Sequence, residues 1–280
     1  MFATVSSSAR VTSALLASAF AGALVFWNPV LLAEPVAVRQ AEGVVHGFLA
    51  LRSMDGTTLA DGDLLQTARG DQVTSRLVFH FKDGSIHDET AVFSQLRSFQ
   101  LISDHLIQKG PSFPQPLEMT VARANGTVTV HYTDNGKQKV ADEQLALPPD
   151  LANGLLPTLL KNVGPGSSLT RVSMVAATPR PRLVTLAVAS VGEEPFSIGG
   201  STRTATHYVV KIEIGGVSGL LAPLLGKQPP DTHVWILGGD VPAFVRSEGP
   251  LYRGGPMWRI ELTSPVWPRT KPVSAVESRP

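Results

Sequence analysis

Three dipeptides, Asp83-Gly84, Asn125-Gly126 and Asn135-Gly136, punctuate runs in which apolar and polar residues alternate, and no other feature constrains the fold as tightly. Asp-Gly and Asn-Gly supply the positive backbone dihedrals that two-residue hairpin turns require, and a period of two marks a strand with one buried face. Leu77, Phe79 and Phe81 point one way and Val78, His80 and Lys82 the other, and Ile86 to Phe93 returns after the turn. Leu117 to Ala122 and Thr127 to Thr133 repeat the arrangement around Asn125-Gly126. Consecutive hairpins of this kind make an antiparallel meander.

Further strands are read at Glu42 to Leu51, Ser98 to Gln108, Ser168 to Ala176, Leu183 to Val191, His207 to Ile214, His233 to Leu237, Ala243 to Ser247 and Met257 to Thr263. Tyr208, Val210, Ile212 and Ile214 share one face. Gly110 to Pro116 is a loop, because its three prolines withhold the backbone donors that a central strand needs. Leu151, Leu155, Leu156, Leu159 and Leu160 have helical spacing behind Asp150 as N-cap, in a helix shortened by Asn153-Gly154 and Pro157. Gly219 to Leu225 is a second short helix or a crossover. The expected fold is mainly β, a single large antiparallel curved sheet or half-barrel of about ten to twelve strands with one or two short helices. One helix is expected to pack into or across the concave side.

The front of the chain has a different character. Val11 to Trp27 carries no charge, Arg10 precedes it, and Ala33 stands before Glu34-Pro35. This is the outline of a secretory signal, with Leu31 in place of the usual small residue and an uncleaved N-terminal anchor as the alternative. The expected organisation is Met1 to Ala33 as signal peptide or anchor, Glu34 to Ser264 as one antiparallel β domain, and Pro265 to Pro280 as a disordered tail. The expected location is the bacterial periplasm or the outside of the cell. Membrane contact is expected only through an uncleaved N-terminal segment.

Removing Arg10 with that segment leaves 23 basic and 23 acidic residues, so the remainder has no global charge to attract nucleic acid or an anionic surface. The chain has no Cys, which excludes disulfides, thiolate metal sites and a Cys nucleophile.

Motifs for chemistry are few. Ser103-Asp104-His105 holds the residue types of a nucleophilic triad, but neighbours on a strand face opposite ways and form no local relay. His87-Asp88-Glu89 holds metal-ligand types beside a hairpin turn, where solvated polar residues are the ordinary occupants. His46, His80, His131, His207 and His233 are scattered over strands and read as half-buried hydrogen-bonding residues. Gly199-Gly200 before Ser201, Thr202 and Arg203 reads as a hairpin rather than an anion nest. No phosphate loop, dinucleotide fingerprint or nucleophile elbow is present, so no cofactor, no metal and no catalytic residue is assigned.

Asp231 to Leu237, then Pro242 and Val245, then Trp258 to Leu262 resemble the last strands of a group of uncharacterised periplasmic proteins, themselves similar in shape to the open β-barrels of the lipoprotein carriers LolA and LolB. The resemblance covers the last third of the chain, and Gly238-Gly239-Asp240 departs from the more acidic turn of that group. It implies a concave apolar surface for a lipid or other hydrophobic ligand and supplies no catalytic residues.

Phe113 at the tip of a proline-stiffened loop, Gly226 to Pro230 with Trp235, and Gly249 to Gly255 with Tyr252 have the makings of a ligand mouth. The ligand-contact candidates are Phe79, Phe81, Phe113, Tyr208, Trp235 and Tyr252. Three classes follow. A binding or carrier protein for a hydrophobic small molecule or lipid needs a continuous apolar cavity lined by residues such as Leu77, Phe79, Phe81, Tyr208, Val210 and Ile212. An envelope scaffold that binds another envelope protein needs that cavity filled by its own side chains. A hydrolase without a recognisable motif needs a cleft where Glu89, Asp104 or His105 converge.

Overall fold

The computed structural model describes Met1 and residues 35–263 other than 165, 168, 199, 200 and 214–228. The expected signal or anchor, the Gly199-Gly200 turn, the Gly219 to Leu225 segment and the tail from Pro265 lie outside these residues.

Among the described residues fourteen antiparallel strands form one open sheet. Eight precede the helix: Val45–Ser53 (β1), Thr58–Arg69 (β2), Gln72–Phe81 (β3), Ile86–Ser94 (β4), Gln100–Lys109 (β5), Leu117–Ala122 (β6), Thr127–Asp134 (β7) and Lys137–Gln144 (β8). After the helix Leu156–Asn162 (α1) come Thr170–Val175 (β9), Leu183–Ile198 (β10), Ser201–Glu213 (β11), Thr232–Leu237 (β12), Ala243–Gly249 (β13) and Trp258–Thr263 (β14). The spatial order runs from β8 down to β1, then from β14 down to β9, so two meanders are joined where the first strand pairs with the last. The fold is the large antiparallel curved sheet that the hairpin signals imply, with β8 and β9 as its edges.

Two strands escaped the sequence reading, each for a physical reason. β2 contains Asp61-Gly62-Asp63, which imitates a turn, yet Gly62 lies opposite Phe79 on β3. A Cβ at position 62 would stand 2.4 Å from Phe79 Cε1, so the glycine makes room for an aromatic ring rather than for a bend. β8, Lys137–Gln144, is an almost wholly exposed and charged edge that shows no apolar face. Charged residues on an edge discourage pairing with another chain.

The Asp150 cap is also corrected. Helix α1 begins six residues later, behind Leu155, with no side-chain cap and with Pro157 in its first turn, where a missing N–H does no harm. Residues 150–153 instead run along the β9 edge. Ala152 N–H donates to the Ser173 carbonyl at 2.8 Å, and the Asn153 side chain pairs with both backbone groups of Val175 at 2.8 and 3.0 Å.

Leu151, Leu155, Leu159 and Leu160 are buried in one core together with Phe93, Leu101, Met119 and Val128 of the first meander and Val172, Leu186, Tyr208 and Ile236 of the second. The helical segment therefore lies between the two arms of the curved sheet. Each of these leucines contributes about 1.5–3 kcal/mol of burial to holding the arms together. Tyr208 Oη donates to the Val163 carbonyl at 2.7 Å, and Asn162 Oδ1 accepts from the backbone of Arg39 and Gln40 at 2.8 and 2.7 Å, which fixes the end of α1.

Candidate ligand-binding cavity

Between the helical segment and the inner faces of both arms lies a cavity of about 510 Å³. Its walls are mostly aliphatic, with Leu77, Leu106 and Met119 from one arm, Leu186, Val210 and Ile212 from the other, and Ala152 and Leu156 from the segment between them. This size is typical of small-molecule sites, and few polar groups on an apolar wall is the usual composition.

Two of its ionisable lining residues, His87 and Glu89, are on β4, and Asp104 of β5 lies beside Glu89. Alternation on β4 is set by Ala91 and Phe93, both buried, so His87 and Glu89 must face inward with them. This corrects the reading of His87-Asp88-Glu89 as a solvated turn flank; Asp88 alone faces outward, bound to Arg76 at 2.6 Å. Asp104, opposite Ala91 on β5, is completely buried, whereas His105 faces outward and bonds Glu118 at 2.8 Å. The triad types at 103–105 are thus split between the two faces, as strand geometry requires.

Glu89 and Asp104 meet under Gly154. A Cβ on Gly154 would lie 3.2 Å from Asp104 Oδ1 and 3.6 Å from the Glu89 carboxyl carbon, and the backbone there has φ +62°. Neither Asp104 oxygen has a hydrogen-bond partner among the described residues. Burial raises the Glu89 carboxyl to about 7. Burial and the neighbouring Glu89 push Asp104 well above the usual carboxylate range, and the nearby His105 amide offsets this only weakly, without a hydrogen bond of normal geometry. Two carboxyls in one apolar place do not both ionise, so the pair retains a proton near neutrality. Glu89 is partly open to the cavity; Asp104 is not.

His87 completes the polar wall. Burial lowers its pKa to about 4, with the charge of Asp88 a lesser opposing influence. Lys161 also lines the cavity, but its ammonium is paired with Glu42, which further accepts a bond from Gln66 at 2.8 Å.

The structure places the sequence-derived candidates in four environments. Tyr252 lines the cavity. Phe113 lies 5.4 Å from Phe81, 5.5 Å from Tyr252 and 6.3 Å from Trp258, and with buried Phe79 these rings fill a second core at the middle of the sheet. Tyr208 is in the main core, its hydroxyl taken by Val163. Trp235 is on the outer face, 4.4 Å from the His207 ring and donating to Glu194 at 3.1 Å. Of the lining proposed for a carrier, Leu77, Val210 and Ile212 face the cavity, while Phe79, Phe81 and Tyr208 are consumed by packing.

Histidine placement needs correction too. His46, His80 and His131 are exposed rather than half-buried. His207 and His233 are not scattered: they pair at 2.9 Å across β11 and β12. Among the described residues no group of three or more His, Asp or Glu is gathered as a metal ion would need.

No protein-family model and no curated protein matches the chain. Among solved structures it is similar to a beta-barrel-like protein of domain of unknown function DUF1849 from Brucella abortus, at 9% identity over 80% of this chain and 98% of that one, with a TM-score of 0.45.

Proposed function

We propose that this protein is an exported, non-catalytic binding or carrier protein of the cell envelope that holds a hydrophobic ligand in the cavity between its arms. The observation that carries this reading is the cavity itself, about 510 Å³ of space with aliphatic walls. A scaffold would have closed that space with its own side chains, because a packed interior leaves few voids larger than a water molecule. The apolar N-terminal segment supports export, and the resemblance of the last strands to periplasmic proteins similar in shape to lipoprotein carriers points to the same class of ligand.

The convergence of Glu89 and Asp104 is the one feature a hydrolase would share. Asp104 has no exposed surface and lies beneath Gly154, so no substrate reaches it.

The test is displacement of an apolar fluorescent probe from the purified protein, repeated on an Ala177→Trp variant. Ala177 lines the cavity without being fully buried, so the indole has room only by occupying the ligand's space. Saturable binding in the parent and its loss in a folded variant support the proposal. Equal binding in both sinks it.

A further inference from the structure

In an antiparallel meander alternate connections emerge at the same end of the sheet, and here the β5–β6, β9–β10 and β13–β14 connections do so together. They form a surface pocket of about 570 Å³ lined by Gln115, Thr178, Arg180, Arg182 and Arg253 with two prolines. The pocket shares Thr178, Arg182 and Arg253 with the apolar cavity, so the two adjoin. No carboxylate lines it, and among the described residues none of its three arginines is paired with an acid.

We propose that the ligand is an amphiphile with an anionic head, its tail in the aliphatic cavity and its head held by Arg180, Arg182 and Arg253. This deepens the carrier reading and rests on it.

Three features argue for a built site rather than a chance cluster. Guanidinium groups present planar, paired donors that match carboxylate and phosphate oxygens. Thr178-Pro179-Arg180-Pro181-Arg182 is stiff: two prolines fix their backbone dihedrals, Pro181 is buried, and Thr178 Oγ1 donates to the Arg180 carbonyl at 2.7 Å. The arginines are therefore offered with little further loss of backbone entropy. At the other end, the cavity's Lys161 is already paired with Glu42, so among the described residues an anionic head finds its unpaired cations at the mouth, which sets the direction in which an amphiphile enters.

The experiment measures binding of dodecyl phosphate, dodecanol and inorganic phosphate, below micellar concentrations, to the parent protein and to a variant carrying Arg180→Gln, Arg182→Gln and Arg253→Gln. All three side chains are exposed, so the variant folds, and its thermal unfolding checks this. The parent is expected to prefer dodecyl phosphate over dodecanol by about tenfold or more, with the preference falling near parity in the variant. Equal affinity for the two dodecyl compounds in the parent, or a preference that survives in the variant, overturns the head assignment and leaves the cavity reading standing. Inorganic phosphate bound as tightly as dodecyl phosphate overturns it in favour of a free-anion site. Failure of both dodecyl compounds to bind overturns the carrier reading, and this inference with it.

Discussion

Gln108 sets the tautomer of His87: its amide nitrogen donates to His87 Nδ1 at 3.1 Å and to the Leu251 carbonyl at 2.8 Å. An amide nitrogen only donates, so Nδ1 accepts and Nε2 carries the hydrogen, facing no partner among the described residues. The same side chain ties β5 to the loop that carries Tyr252 and Arg253, and so links the polar wall of the cavity to its mouth.

Buried neutral His87 and buried protonated Glu89 pull the pH dependence of stability in opposite directions. Glu89 keeps its proton in the folded chain from its ordinary 4.5 up to about 7, where the unfolded chain has released it, so stability falls as pH rises through that window. His87 stays neutral in the folded chain from its ordinary 6.5 down to about 4, where the unfolded chain takes up a proton, so its contribution rises with pH. Asp104, also raised, acts with Glu89. Urea unfolding of Glu89→Gln between about pH 5 and 6.5 is expected to show a slope shifted upward by up to about 1.4 kcal/mol per pH unit, and His87→Gln a slope shifted downward by a similar amount. Parallel profiles for parent and both variants would refute the assignment.

Gly154→Ala is expected to destabilise by about 2–4 kcal/mol, because a side chain there adopts the left-handed region and overpacks the acid pair. Its Cβ would approach the Ala91 Cβ to 2.7 Å. An unchanged urea midpoint would mean that the turn over Glu89 and Asp104 is not held as described.

Gly62 and Phe79 are expected to be energetically coupled, since the ring occupies the space a Cβ would need. Gly62→Ala alone is expected to cost about 1–3 kcal/mol, and less in a Phe79→Leu background, giving a coupling of about 1 kcal/mol in a double-mutant cycle. Strict additivity would contradict the cross-strand contact.

That pair also shows where the sequence was legible. Hairpin dipeptides and period-two runs are local signals, and β3 through β7 were read from them with small errors at the ends. Gly62 is explained only by Phe79, a residue brought opposite by pairing, so β2 was not read as a strand. The pairing of β1 with β14 joins the first and last strands of the chain at the middle of the sheet and has no local signal at all. The site follows the same pattern. Inward-facing Glu89 was inferable from the alternation through Ala91 and Phe93, but its meeting with Asp104 under Gly154 depends on where the helical segment docks. The mouth arginines come from two separate connections, and only the meander's topology brings Arg253 beside Arg182. Aromatic residues attracted attention in the sequence because they suit ligands, yet Phe79, Phe81 and Phe113 found one another first.

Native mass spectrometry of the protein released gently from the cell envelope tests the central claim most directly. A stoichiometric adduct that solvent extraction identifies as an apolar or amphiphilic molecule, and that is absent from the Ala177→Trp variant, is the predicted result. A bare polypeptide mass in both, or an adduct that persists when the cavity is filled, would contradict the account.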